Sequence, residues 1–136
     1  MSSSAVRVLV ADDDRRAVDS LTEILRREGY DARGVYSGAE ALRETREFRP
    51  DVVVLDIRMP RLTGYEVARM LRDEYGEKGP MLIAVTGWQE RADRLLSKLV
   101  GFDHHFSKPY DARAVLAAIS GATGRAASRS APGRAA

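Results

Sequence analysis

The stretch Asp51-Val52-Val53-Val54-Leu55-Asp56-Ile57-Arg58-Met59-Pro60 fixes how the rest of the chain is read. Four apolar residues in a row, three of them β-branched, leave no polar side for water. Such a run is a strand covered on both faces, as in a parallel sheet. Asp56 ends it. Outward from there, Val6 to Val10 stops at Ala11-Asp12-Asp13-Asp14, Leu82-Ile83-Ala84-Val85 stops at Thr86-Gly87, and His104-His105-Phe106-Ser107 leads into Lys108-Pro109. In open parallel sheets, ligands bind outside the carboxyl ends of the strands. Several carboxylates, a hydroxyl and an ammonium are therefore predicted to converge on one edge. Crowded carboxylates stay ionised together only if a cation joins them, and an all-oxygen donor set favours Mg²⁺ over a soft metal.

Five strand–helix units follow from the period of the apolar residues. The first strand, Arg7 to Ala11, leads into a helix that Asp14 caps, with Val18, Leu21 and Leu25 on one face and Gly29 at its end. A second strand, about Ala32 to Tyr36, meets Ser37-Gly38-Ala39-Glu40, a capping-box pattern opening a helix with Leu42 and Thr45. After Pro50 and the strand ending at Asp56, Thr63-Gly64-Tyr65-Glu66 offers a second box, for a helix with Val67, Met70 and Leu71 inward. Gly76 to Pro80 is a turn and Met81 to Val85 the fourth strand. The fourth helix, roughly Gln89 to Val100, carries Ala92, Leu95, Leu96 and Leu99 at helical spacing. Gly101 ends it, the fifth strand runs to Ser107, and Asp111 caps a last helix with Val115, Leu116 and Ile119. Alternating strands and helices imply an α/β three-layer sandwich. From Gly121 onward Ala, Gly, Ser, Arg and Pro dominate, which predicts a domain over residues 1–120 and a disordered basic tail over 121–136.

Composition narrows the class. With 136 residues, 44% hydrophobic and 31% charged, the chain reads as one ordinary globular domain. It has no cysteine, which removes disulfides and thiolate metal sites and fits a reducing compartment. No apolar stretch approaches the roughly 20 residues that cross a bilayer, and no signal peptide precedes the first strand, so neither membrane insertion nor export is expected. The net charge is +2, but Arg125, Arg129 and Arg134 lie in an acid-free tail; without them nineteen basic residues face twenty acidic ones. A nucleic-acid face would need basic residues clustered on the folded body, and none stands out.

Paired Asp after the first strand, Asp with Met-Pro beyond it after the third, Thr-Gly after the fourth and Lys-Pro after the fifth are each weak signals, but together they are specific. In this order, over roughly Val6 to Ile119, the chain resembles the receiver domain of bacterial two-component response regulators. That resemblance implies the flavodoxin-like (βα)5 fold with strand order 2-1-3-4-5. It implies Asp56 as phosphoacceptor, with Asp13 ligating Mg²⁺ directly, Asp12 acting through a water and the Arg58 backbone carbonyl supplying a further ligand. Thr86 would hydrogen-bond the phosphoryl oxygen and Lys108 would pair with it. His105 occupies the position called the aromatic switch, where many relatives carry Tyr or Phe; it either moves inward on activation or stays at the surface while Thr86 moves. Trp88, two beyond Thr86, is read as packing or rim, in a place where relatives regulate water access.

The implied partners are a sensor histidine kinase or phosphotransfer protein as phosphoryl donor. A downstream protein would bind the face of the fourth helix, fifth strand and fifth helix, with no nucleic acid and no membrane involved. A cytoplasmic receiver acting by conformational change, without turnover, is expected; whether it activates a target or drains phosphate stays open. The rival is a Mg²⁺-dependent haloacid dehalogenase-like phosphatase or phosphotransferase. That class needs a second Asp two residues after the nucleophile, where this chain has Arg58, and substrate-closing insertions for which there is no room. Neighbouring His104 and His105 point to opposite faces of a strand and do not make a metal pair.

Overall fold

A computed structural model describes residues 5–87 and 91–130, with side chains described outside 91–93 and 122–130. The strands are β1 (Arg7–Ala11), β2 (Asp31–Val35), β3 (Val52–Asp56), β4 (Met81–Thr86) and β5 (His104–Ser107). The helices are α1 (Arg15–Arg27), α2 (Gly38–Phe48), α3 (Gly64–Tyr75), α4 (Arg91–Leu99) and α5 (Ala112–Ser130), with a short 3₁₀ turn at Gly76–Lys78. All pairings are parallel, in the order β2-β1-β3-β4-β5. The flavodoxin-like sandwich expected from the sequence is the fold observed.

The apolar run of β3 is explained by what lies on either side of it. Val53 and Leu55 pack with Leu9, Val67, Leu71 and Phe102 on the α2–α3 face. Val52 and Val54 pack with Val8, Val10, Val18, Leu25, Val115 and Ile119 on the α1–α5 face. The four apolar residues of β3 are fully buried, each worth about 1.5–3 kcal/mol relative to exposure. A polar residue at any of them would lose that and meet no partner.

Local caps fix where the helices begin. Asp14 accepts from the Arg16 and Ala17 amides at the start of α1. Thr63 and Glu66 form a complete capping box at α3, the Thr63 N–H reaching Glu66 Oε1 at 2.9 Å and the Glu66 N–H reaching Thr63 Oγ1 at 3.2 Å. At α2 the box is altered: Ser37 accepts from the Glu40 amide, but Glu40 Oε1 accepts from Tyr36 N–H at 2.7 Å, one residue beyond the cap.

The structure differs from the sequence reading in the helices. Met70 does not point inward; it is 48% exposed, because Val67, Ala68 and Leu71 already form the buried stripe of α3. On α4, where the sequence showed an apolar stripe at helical spacing, the described leucines Leu95, Leu96 and Leu99 are exposed and Ser97 is buried. The last helix does not stop before Gly121 but continues to Ser130. Alanine and arginine are strong helix formers, so a helix can extend there with nothing to bury.

Among the described side chains of α5, Ile119 is the last that is buried. Removal of residues 121–136 is therefore expected to leave the melting temperature unchanged within error in a thermal scan. A clear drop would mean that this segment docks on the domain.

Candidate functional site

The convergence predicted from the sequence is the geometry observed. Asp12 follows β1, Asp56 ends β3, Thr86 ends β4 and Lys108 follows β5, on four strands that are consecutive in the sheet. The Lys108 N–H donates to the Thr86 carbonyl at 2.7 Å, which continues the β4–β5 ladder past its last pair and sets where the lysine leaves the sheet. From there its side chain crosses the edge, placing Nζ 2.7 Å from Asp12 Oδ2 and 3.3 Å from Asp56 Oδ1. Asp12 Oδ1 accepts the Asp14 N–H at 2.9 Å. Both Asp12 oxygens are thus engaged within the protein.

Carboxylate oxygens of Asp12, Asp13 and Asp56 all lie within 4.8 Å of one another. Asp12 and Asp56 are buried and Asp13 is exposed. Three hard oxygen donors, one of them open to solvent, suit Mg²⁺, which keeps several waters and takes few carboxylates. Arg58 lies in a bend closed by the Met59 N–H on the Ile57 carbonyl at 3.2 Å, and its side chain is exposed. Thr86 is fully buried at the end of β4. Trp88 lies outside the described residues.

Burial pushes the Asp56 carboxyl up to about 7, with the Asp12 charge adding to the rise and the Lys108 ammonium opposing it. Burial works to lower Lys108, but its hydrogen bond to Asp12 and the charge of Asp56 prevail, and it is raised. The site is therefore short of positive charge: one ammonium faces three carboxylates. An added cation would restore Asp56 to its ionised form.

Neither histidine is at the open surface. His104 stacks on Phe106, ring centroids 6.4 Å apart and 21° between planes. His105 pairs in register with Ala84 and is partly buried, its ring nitrogens shielded from solvent. Two residues went unnoticed in the sequence. Tyr110, two beyond Lys108, is raised by burial and also feels Asp12 and Asp56 across the site, with Lys108 opposing. Gly64 packs its backbone against that of Asp56 and Ile57; the capping box marked its place without showing why it is glycine.

The sequence model of the response regulator receiver domain matches residues 8–120, which take in all of these positions. The chain belongs to that family. A receiver is the phosphoryl-accepting part of a response regulator, and a buried strand-end carboxylate beside an ammonium suits such a transfer. This receiver is similar to the DNA-binding response regulator MtrA of Mycobacterium tuberculosis, 36% identical over 119 residues, 88% of this chain and 51% of that one. It is also similar to the response regulator MprA of Mycobacterium ulcerans, 39% identical over 113 residues, 83% of this chain and 48% of that one. The chain spans about half the length of these curated relatives. Among solved structures, a CheY-like response regulator receiver domain protein from Methanospirillum hungatei superposes with a TM-score of 0.79 at 28% identity, covering 86% of this chain and 92% of that one.

Proposed function

We propose that Asp56 takes the phosphoryl group from a phosphohistidine on a sensor kinase or phosphotransfer protein, in a Mg²⁺-dependent step. The observation that carries this reading is the buried Asp56 carboxylate at the end of β3, 3.3 Å from Lys108 Nζ and grouped with Asp12 and Asp13. The new bond joins an Asp56 carboxylate oxygen to phosphorus as the bond from phosphorus to the donor imidazole breaks. Two anions must approach for this to happen, so neutralisation matters more than proton transfer. Lys108 supplies a fixed ammonium, and Thr86 a hydroxyl for a phosphoryl oxygen. Asp12 holds Lys108 in place, with Asp13 and the Arg58 carbonyl completing the donors for the metal. Bound Mg²⁺ would supply further positive charge against the transferring oxygens. The haloacid dehalogenase-like alternative is not favoured: Arg58, an exposed cation, stands where its acid/base carboxylate is needed.

The test is incubation with acetyl phosphate as phosphodonor, with and without Mg²⁺. One phosphate per chain is expected by mass spectrometry only with the metal, without sustained release of inorganic phosphate. Continuous turnover would favour the phosphatase instead.

The output follows from what changes around Thr86. Only contacts that differ between two states shift a population, and the aspartyl phosphate offers Thr86 and Lys108 oxygens that were not there before. The surface that reads the change is that of α4, β5 and α5, where Leu95, Leu96 and Leu99 are 58%, 42% and 82% exposed. Exposed apolar groups of this size mark protein contact, so a protein rather than a nucleic acid is the partner, and the setting is cytoplasmic. The DNA binding in MtrA's name stays with that protein.

His105 is the switching side chain on this reading. An imidazole, unlike Phe or Tyr, carries two nitrogens to satisfy, and its charged form resists burial. Inward movement favours neutral His105 and becomes harder as pH falls through the histidine range. On titration with beryllofluoride, the His105 pKa followed by NMR is expected to drop. His105→Ala should leave phosphorylation intact while weakening partner binding. An imidazole whose titration ignores beryllofluoride would rule the switch out.

A further inference from the structure

The body of α4 and the turn that follows it are held in opposite ways. From Arg94 to Leu99, Ser97 is the one buried side chain, and its hydroxyl has no hydrogen-bond partner among the described residues. Three leucines of the same helix face solvent. Among its described side chains, α4 thus turns only a serine to the interior and three leucines outward.

The turn behind it is clamped by Arg72 of α3. Nε and Nη2 both donate to the Gly101 carbonyl, at 3.0 and 2.8 Å. Nη1 donates to the Pro80 carbonyl at 3.0 Å, and Nη2 also reaches Asp103 Oδ2 at 2.9 Å. That same Asp103 oxygen accepts the Leu82 N–H at 2.9 Å, while the Asp103 N–H donates to the Leu82 carbonyl at 2.8 Å. One planar guanidinium thus joins α3, the start of β4 and the α4–β5 turn, a task for which a lysine ammonium lacks the fork. Gly101 makes the approach possible: its φ is +106°, and a Cβ there would sit 2.7 Å from Arg72 Cγ. Next to it Phe102 is buried and meets Tyr65 edge-on, centroids 6.5 Å apart.

A loose body on a fixed end is a hinge. We propose that α4 opens and closes as a unit of its own, and that Arg72 is the positioning residue that keeps the hinge at Gly101 shut while it does so. Opening then stops at the turn instead of running on into β4 and β5. Domains open in such sub-global units, the less packed ones first. This proposal is independent of which residue accepts the phosphoryl group, and it is tested on the unphosphorylated chain.

Native-state hydrogen exchange on the full chain reads it directly. In the wild type the amides of residues 95–99 are expected to exchange at least about ten-fold faster than those of Leu82, Asp103 and β3. In Arg72→Ala, Leu82 and Asp103 should join the fast set, by about ten-fold or more beyond any slowing or speeding common to β1 and β3. Arg72→Lys should not restore them. A merely structural arginine would instead raise every core amide by one shared factor and leave Leu82 and Asp103 grouped with β3. That result, or α4 amides as slow as the core in the wild type, would overturn the proposal. If Arg72→Ala does not fold, Asp103→Ala removes one arm of the clasp and the Leu82 cap, and should give the same regrouping at smaller amplitude. No regrouping in that variant would count equally against the hinge.

Discussion

Asp56→Asn is expected to end phosphoryl incorporation and, at the same time, to make the protein harder to unfold above neutral pH. The first effect follows from chemistry. An amide oxygen is a poor nucleophile and an acyl phosphate cannot form on it, so labelling by acetyl phosphate and Mg²⁺ should fall at least about a hundred-fold, as when a nucleophile is lost outright. The second follows from what the carboxylate costs the fold. Asp56 is raised to about 7 by burial and the Asp12 charge, whereas in the unfolded chain an aspartate titrates near about 3.9. The folded state binds this proton more tightly, so the stability contribution is fully present below the unfolded value. It is lost as pH rises through the folded value, the reverse of a salt-bridged aspartate.

Full conversion of the shift would give about 4 kcal/mol, but Lys108 is partly open to solvent; about 2 kcal/mol is the reasonable scale. Asparagine has no charge to bury. Urea midpoints for wild type and variant should therefore converge near about pH 4 and separate by about pH 8, the variant being the more stable. Mg²⁺ should narrow the gap by stabilising the wild type, since a ligand that binds only the folded state stabilises it. A variant that still takes up one phosphate would place the nucleophile elsewhere. One that is less stable at every pH would mean that the Lys108–Asp56 contact outweighs burial.

What could be read from the sequence depended on the range of the interaction. Asp14, Ser37 and Thr63 cap helices within four residues of themselves, and each was visible as a local pattern. The β3 run was visible because a strand covered on both faces has no polar positions at all. By contrast, the meeting of Lys108 with Asp12 joins residues 96 positions apart. No spacing encodes that contact; the rule about strand ends supplied the convergence of the residues but not the pairing of Lys108 with Asp12. Periodicity identified an apolar stripe on α4 but not what the stripe would meet, and it faces solvent, leaving Ser97 against the sheet. Met70 failed for the neighbouring reason: α3 needs only one stripe, and Val67, Ala68 and Leu71 fill it. Past Gly121 the composition has no large apolar residue, but a helix needs no burial where its residues favour it, and α5 runs on to Ser130.

Gly64→Ala tests a site residue whose place the capping box marked but whose glycine no pattern explained, and it should be among the most damaging single-methyl changes in the chain. The Gly64 N–H donates to the Ile57 carbonyl at 2.9 Å, drawing the first turn of α3 onto the end of β3. A Cβ at Gly64 would lie 2.9 Å from Ile57 Cα and closer still to the Asp56 carbonyl oxygen. Both neighbours are backbone, so no side chain can swing aside; either α3 withdraws or Asp56 and Ile57 move. Overpacking of this kind costs about 1–3 kcal/mol, and the rigid neighbours put this case at the upper end. Against it stands the helix preference of alanine over glycine, at most about 1 kcal/mol, so the clash wins. Gly121→Ala is the control, because its Cβ meets nothing within 4 Å on α5 and the same preference should act alone, giving a small gain. Urea denaturation should therefore move in opposite directions for the two variants. Whatever Gly64→Ala protein remains folded should also phosphorylate more slowly, since the displaced backbone is that of Asp56 itself. Equal stability of Gly64→Ala and wild type would mean that α3 does not set the position of the acceptor carboxylate.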